Sequence, residues 1–346
     1  MSLIRPPHGN VIAQETVNGT AWLLRQIERS LFFGDSSCIP VQWDGLVKQI
    51  EAGAPNPTLN VVDMQDKPLS EDAINDGALI IKSEPNYGRA TDLYCADGAY
   101  SDLAKSFYPG QMYPTPPGGW TGGMVGMNIK GFYSQFGPIK FNPDVFVQFG
   151  PVAPTSAVGN TSKRPSTPTE SSPPSNTGSD GHFGTTYAGA HYYKICAVNR
   201  YGRSAPLSMT GPVTVGAAEH VTMTVGDGST TGTCFEAYRT HLPGEALGTE
   251  KYVETFARTG VTTTWVDYNH NIPGTSKALL IQQNLEFFSF KQLAPFMKIP
   301  LATVDLSIRW VQALYGAPTV YVPGRGVIFK NIGRAPGSAG VNNAVA

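Results

Sequence analysis

Apolar positions recur at helical spacing from Thr20 to Phe33. Leu23, Leu24, Ile27 and Leu31 form one stripe, Arg25, Glu28 and Arg29 lie off it, and Gly34 stops the run. This predicts an amphipathic helix. Ahead of it, Met1 to Val17 has little periodicity and contains Pro6, Pro7 and Gly9, which suits an extended arm. Trp43, Leu46, Val47 and Ile50 repeat the helical pattern up to Gly53, and Leu59 to Met64 reads as a strand after a loop from Asn56. Ser70 is placed to cap a third helix, with Glu71 and Asp72 well set against its dipole. Leu93 to Cys95 is a short strand. Asp97 then opens a helix whose face is Tyr100, Leu103, Ala104 and Phe107 and which ends before Pro109.

The pattern then changes character. Residues 109–126 (PGQMYPTPPGGWTGGMVG) form a long irregular loop, and 127–149 alternate with breaks at Gly131, Gly137 and Pro143, which predicts three short strands in a meander. From Gly150 to about Ala190 the composition is Pro, Ser, Thr and Gly with almost no large apolar side chain, so this stretch builds no core alone. Dense alternation follows. HYYKICAVN, PVTVGAA, HVTMTV, CFEAYRT, KYVETF and TTTWVDY are six strand candidates between His191 and about Thr275, spaced as in a β-sandwich. The last stretch opens on Phe287 to Leu293, a β-prone run whose partner is expected before Gly150, among the meander strands. Asp305 caps a short helix in which Leu306, Ile308, Trp310, Val311, Leu314 and Tyr315 cover most faces, ended by Gly316 and Pro318. Thr319 to Val322 and Val327 to Ile332 then read as a closing hairpin across Pro323-Gly324-Arg325-Gly326.

Composition favours turns and β structure over a helical bundle: charged residues are 15 %, with Gly 38 and Pro 28 among 346 residues. No apolar run approaches the ~20 residues that span a bilayer, and MSLIRPPHGN lacks the apolar core of a signal peptide, so a cytosolic origin is expected. The formal charge of −1 conceals an asymmetry. Asp35 to Asp102 holds twelve acids against four bases, whereas Leu285 to Arg334 holds two acids against six bases. The bland reading is two solvated faces; the sharper one is complementary surfaces that meet between copies.

Tests for chemistry fail one after another. The glycine loop 109–126 has no Lys-Ser or Lys-Thr to cradle phosphate, and Gly202-Arg203-Ser204-Ala205-Pro206 lacks the last glycine of a nucleophile elbow. Cys38, Cys95, Cys196 and Cys234 show no CxxC pairing, and the six histidines match no zinc spacing, so buried free thiols and no metal are expected. Asp63 with Asp66 fits a turn, and Glu71 with Asp72 and Asp76 fits a helix start, in preference to acid–base pairs. The basic C-terminal stretch lacks the aromatic interleaving that stacks bases, so nucleic-acid contact would be weak and unspecific. No catalytic residue, cofactor or metal is expected, and the chain is not read as an enzyme.

Two resemblances complete the reading. HYYKICAVNRYGRSAPL, from His191 to Leu207, resembles the last hairpin of fibronectin type III and related immunoglobulin-like domains, here placed first as in a circularly permuted module, with Met223 where such domains often carry a core tryptophan. NVIAQETVNGTAWLLRQIERSLFFGDSS, GFYSQFGPIKFNPDVFV and SFKQLAPFMKIPLATVDLSIRWVQALYGAPTVYVPGRGVIFKNIG resemble the major capsid proteins of tailed bacteriophages of the Hong Kong 97 type. That second resemblance implies an α+β shell fold of arm, spine helix, peripheral and axial parts, with Thr20 to Phe33 as the spine. The implied division is a shell domain of residues 1–158 and 276–346, a Pro/Ser/Thr-rich linker or first strand at 159–190, and an inserted immunoglobulin-like sandwich at 191–275. It further implies pentamers and hexamers in an icosahedral virion shell around double-stranded DNA touched unspecifically. Portal, scaffold or protease components and decoration proteins would be partners, assembly would occur in the host cytoplasm, and the insert would face outward. Arg25, Arg29, Arg309, Arg325 and Lys330 are the candidate inter-subunit contacts. The competing expectation is a tail or decoration protein whose sandwich binds carbohydrate or protein as an adhesin.

Overall fold

The computed structural model describes residues 11–40, 42–55, 57–107, 129–147, 150–302 and 309–336. The chain is α+β. It opens with α1 (Val11–Phe33), α2 (Leu46–Gly53), α3 (Pro57–Asn60), β1 (Val61–Asp63), α4 (Glu71–Lys82), β2 (Asp92–Cys95), α5 (Asp97–Phe107), β3 (Gly131–Ser134) and β4 (Gly137–Pro143). A run of strands follows: β5 (Val158–Gly159), β6 (Thr169–Thr177), β7 (Gly189–His191), β8 (Tyr193–Asn199), β9 (Gly202–Arg203), β10 (Leu207–Ser208), β11 (Val213–Val215), β12 (His220–Gly226), β13 (Cys234–Arg239), β14 (Lys251–Ala257) and β15 (Thr262–Asp267). Last come β16 (Ser276–Ile281), β17 (Phe288–Pro300), β18 (Trp310–Val320) and β19 (Gly326–Ile332).

A mixed sheet in the order β1-β19-β16-β2-β4-β3 joins the two ends of the chain. Its middle strands are apolar on both faces, as a sheet covered on both sides requires. Ala278 and Leu280 of β16, with Val327 and Phe329 of β19, pack with Ile74, Ala78 and Ile81 of α4 and with Leu103 of α5. Leu279, Ile281 and Ile328 point the other way, to Phe32 at the end of α1 and to Val47 and Ile50 of α2. α4 starts where its cap chemistry dictates: Ser70 Oγ accepts from the Ala73 amide at 3.2 Å, with Glu71 and Asp72 in the first turn and Lys82 in the last. Gly77 brings that helix onto the sheet, since a Cβ there would lie 2.6 Å from Cζ of Phe329.

Residues 150–275 form two larger sheets and a two-stranded β7–β11 pair around one main core, to which Val213 and Val215 of β11 contribute. β14-β13-β8-β9-β5 supplies Tyr193, Ile195, Phe235 and Val253, and β15-β12-β6 supplies Val221, Met223, Val225 and Trp265. The six alternating stretches thus form β8, β11, β12, β13, β14 and β15. Part of the Pro/Ser/Thr-rich stretch is itself a strand: β6, mostly exposed, is an edge strand antiparallel to β12. Met223 is 1 % exposed in this core, paired in register with Trp265, whose ring stacks 5.3 Å from Phe256. The chain enters and leaves the sandwich at adjoining points, where the Gly150 amide donates to the Thr275 carbonyl at 3.3 Å.

Polar contacts tie the sandwich to the mixed sheet. Tyr187 donates its hydroxyl to Asp66 at 2.7 Å, and His241 Nε2 lies 3.3 Å from the same carboxylate. Burial pushes the Asp66 carboxyl up, but hydrogen bonds from His241 and Tyr187 outweigh it and hold its pKa below the usual value. Asn331, buried in β19 with φ 56°, donates to Asp63 Oδ1 and to the His270 carbonyl, each at 2.9 Å, and accepts from the Ile272 amide at 2.8 Å. Asn331→Ala therefore leaves the Ile272 amide without its acceptor and puts alanine in a left-handed position, at a cost of about 2–4 kcal/mol. Asn331→Gly is expected to recover the conformational part, about 1 kcal/mol, and denaturant unfolding of both variants measures the difference.

Several expectations are corrected. Val11 to Val17 is helical, continuous with α1, because Ala, Gln and Glu favour helix and the hydroxyls of Thr16 and Thr20 bond back to Ile12 and Thr16 carbonyls at 2.8 Å. Residues 1–10 of the expected arm, the 109–126 loop and Asp305, Leu306 and Ile308 of the expected helix lie outside the described residues. Leu59 and Asn60 belong to α3, leaving only Val61–Asp63 as strand. Among the described residues the meander is two strands, and β4 pairs in parallel with β2, not with β17. Trp310 to Tyr315 is strand, not helix: β18 pairs antiparallel with β17 over its whole length. Thr319 and Val320 end that ribbon, while β19 joins the mixed sheet beside β16 and β1 instead of closing a hairpin.

Candidate assembly surface

The β17–β18 ribbon and α1 differ from the rest of the described chain in what they leave uncovered. A two-stranded ribbon is marginal alone and needs a covered face. Here its base is anchored. Gln49 of α2 donates to the Pro318 carbonyl and accepts from the Val320 amide, both at 3.0 Å, and the Trp43 ring meets Phe290 edge-on at 5.8 Å. Trp43 also donates its indole N–H to the Ser30 carbonyl near the end of α1 at 3.1 Å. Arg325 lies 4.0 Å over the Phe287 ring and donates to Gln282 at 3.2 Å, which fixes the ribbon's entry.

Farther out, α1 and the ribbon touch along one polar line. Gln312 Nε2 donates to the Thr16 carbonyl at 3.1 Å and to Thr20 Oγ1 at 3.2 Å, and Lys298 Nζ donates to Thr16 Oγ1 at 2.8 Å. Gly19 makes this approach feasible, since a Cβ would sit 2.9 Å from Gln312 Oε1. Lys298 also lies 4.5 Å over the Trp310 ring.

Around that line the surface is apolar and open. On α1, Val17, Trp22 and Leu24 are exposed, Trp22 at 63 %, and the stripe residues Leu23, Ile27 and Leu31 are only half-buried. On the ribbon, Leu293 is 88 % exposed, and Phe296, Ile299, Leu301, Val311 and Tyr315 are exposed with it. A helix of 23 residues, about 34 Å long, buries among its described side chains only Phe32. Large apolar side chains left exposed on two touching elements make these elements the candidate docking surface among the described residues.

The chain is similar to phage major capsid proteins. It is 23 % identical over 326 residues to the putative major capsid protein of Enterococcus phage phiEF24C, a match covering 89 % of this chain and 66 % of that protein. It is 24 % identical over 344 residues to the major capsid proteins of Staphylococcus phage S25-3 and Staphylococcus phage K, covering 92 % of this chain and 68 % of each. The chain thus spans about two thirds of the length of these relatives. No family model matches it.

The basic residues singled out in the sequence fall into two groups. Arg25 and Arg29 are exposed on α1, and Arg309 is exposed at the outer end of the ribbon, where its carbonyl accepts from the Leu301 amide at 3.0 Å. Arg325 is half-buried in contacts that hold the ribbon's base, and Lys330 is half-buried in β19, its carbonyl accepting from the Met64 amide at 2.9 Å. One acid–base pairing across the two charged regions is made within the chain: Arg334 Nε donates to Asp102 Oδ2 at 2.7 Å, with Asp102 itself buried. Acids near the end of α1 are likewise held internally. Lys48 reaches Asp35 at 2.5 Å and Asp44 at 2.8 Å; burial raises the Asp35 pKa, but the bonds from Lys48 and Ser37 overcome it and bring it down to about 2.

The apolar members of the surface were hidden in the sequence. Trp22, Leu293 and Phe296 look like core residues by type, and only the folded chain shows that they are left exposed. Among the described residues no three His, Cys, Asp or Glu side chains group as metal ligands, and no helix is long and apolar enough to cross a membrane.

Proposed function

We propose that this chain is the subunit of a phage capsid, and that the open apolar surface of α1 and the β17–β18 ribbon is where copies join. The single observation that carries this is the exposure of Trp22, Leu24, Leu293, Phe296 and Val311 on two extended elements that touch each other. The similarity to relatives named major capsid proteins over most of the chain supports the same reading. A shell repeats one contact hundreds of times, so modest apolar burial per copy, about 1.5–3 kcal/mol for each large side chain covered, suffices once summed.

In the finer reading the shell is icosahedral, of the Hong Kong 97 type, built of pentamers and hexamers around double-stranded DNA. α1 is the spine, the ribbon belongs to the peripheral part, and the mixed sheet with α4 and α5 is the axial part. The sandwich from 150 to 275 is an insertion of immunoglobulin-like character that faces outward. Its adjoining entry and exit at Gly150 and Thr275 support an inserted unit, and an inward-facing module of this size would displace packaged DNA. Arg25, Arg29 and Arg309 are the charged contacts between copies, with acids of the 35–102 region opposite them. Portal, scaffold, protease and decoration components are partners in this reading. Electron microscopy of the concentrated chain tests it: closed shells, rings or sheets are expected, whereas a discrete small oligomer that binds a glycan would support the adhesin alternative.

A further inference from the structure

Two buried thiols, Cys38 and Cys234, lie at the seam between the sandwich and the connection that follows α1 and interact with each other there. Cys38 sits in the connection between α1 and α2, and Cys234 opens β13; they are 4 % and 1 % exposed. The connection lies against the sandwich here. Ile39 and Pro40 of the connection and Tyr201, Thr231 and Thr233 of the sandwich line one cleft of about 300 Å³, so residues adjoining each cysteine border the same space. Cys38 Sγ is 3.4 Å from Asp35 Oδ2, and Thr233 Oγ1 is 4.0 Å from Cys234 Sγ. Asp35 is itself held by Lys48 and Ser37, which fixes the loop that presents Cys38. The other two cysteines have no such neighbour. Cys95 is in the core under α4 and α5, and Cys196 packs with Ala153 and Tyr238 on the outer face of a sandwich sheet.

We propose that Cys38 and Cys234 are an oxidisable pair whose disulfide staples the sandwich to the end of α1. Contact with Cys234 draws the Cys38 thiol pKa down against the effect of burial, whereas contact with Cys38 and burial push Cys234 up. With a small disulfide such as oxidised glutathione as oxidant, the thiolate of one cysteine attacks one glutathione sulfur and expels the other half as a thiolate. The other cysteine then attacks the protein sulfur of that mixed disulfide and expels the second. One protein disulfide forms, one glutathione disulfide becomes two thiols, and the two cysteine protons end on them. For a shell leaving a reducing cell the staple would close after assembly; that consequence rests on the capsid reading, whereas the pair itself does not.

The test uses the full chain. It is incubated with oxidised glutathione, remaining thiols are alkylated under denaturing conditions, and unreduced peptides are mapped by mass spectrometry. Loss of two of the four thiols is expected, with one linked peptide joining Cys38 to Cys234 within a chain, Cys95 and Cys196 still alkylated, and full reversal by dithiothreitol. Cys38→Ser and Cys234→Ser are each expected to abolish the link, leaving the remaining thiol of the pair alkylated or as a glutathione adduct. Four alkylated cysteines in the wild-type chain, a glutathione adduct at either cysteine that the other never resolves, or links between chains would overturn the proposal without touching the capsid reading.

Discussion

Replacing Arg239 by Ala is expected to lower the stability of the sandwich by about 3–5 kcal/mol, among the largest effects of any single side chain in this molecule. Arg239 is fully buried in β13. Its guanidinium donates to Asp267 Oδ2 and to Asn269 Oδ1, each at 2.5 Å, and lies 4.7 Å over the Phe183 ring. Tyr193 donates its hydroxyl to the same Asp267 oxygen at 3.0 Å. Removing the arginine leaves the Asp267 carboxylate without its cation in a site 2 % exposed. A desolvated, unpaired charge is far costlier than the pair was favourable, which also yields the control. Arg239→Met combined with Asp267→Leu removes both charges and is expected to lose clearly less than Arg239→Ala alone. Denaturant unfolding followed by the fluorescence of Trp265, which lies in the same core, reads both variants. Equal losses would mean that the pair contributes only packing.

The second large effect is on association. Trp22→Glu together with Leu293→Glu alters two side chains that are 63 % and 88 % exposed, so the fold is expected to keep its stability within about 0.5 kcal/mol. Between copies the same two changes set charge where apolar burial worth about 1.5–3 kcal/mol per side chain is proposed, which raises the concentration needed for assembly at least ~10-fold per contact. Light scattering against concentration, with circular dichroism as the fold control, separates the two. Arg325→Glu is a poorer probe than Arg309→Glu, because Arg325 stacks on Phe287 within its own chain and its loss disturbs the ribbon's base.

The parts of this fold that were legible in the sequence are those whose signals are local. α4 follows from Ser70, Glu71 and Asp72, α5 from Asp97 and its apolar face, and the sandwich strands from strict alternation over six or seven residues. Nonlocal pairing was not legible. Nothing in Val61–Asp63 announces a parallel partner at Ile328–Lys330, and nothing in Phe288–Leu293 distinguishes a partner at Gly316–Val320 from one before Gly150. The reading of Trp310 to Tyr315 as a helix failed for a related reason. Apolar residues on every face suit a buried helix, and they suit equally a ribbon with α1 on one side and a proposed neighbouring copy on another, where alternation loses its meaning. The candidate surface was half visible: the charges at Arg25, Arg29 and Arg309 could be picked out by type, whereas its apolar majority could be recognised only once the elements beneath it were known to end there.

That copies of this chain join through α1 and the ribbon is tested most directly by sedimentation velocity of the wild-type chain and the Trp22→Glu, Leu293→Glu variant across a concentration series. The account predicts megadalton particles for the wild type above a threshold concentration and a folded, slowly sedimenting species for the variant at the same loading. A wild-type chain that stays monomeric throughout, or a variant that assembles as readily as the wild type, would contradict it.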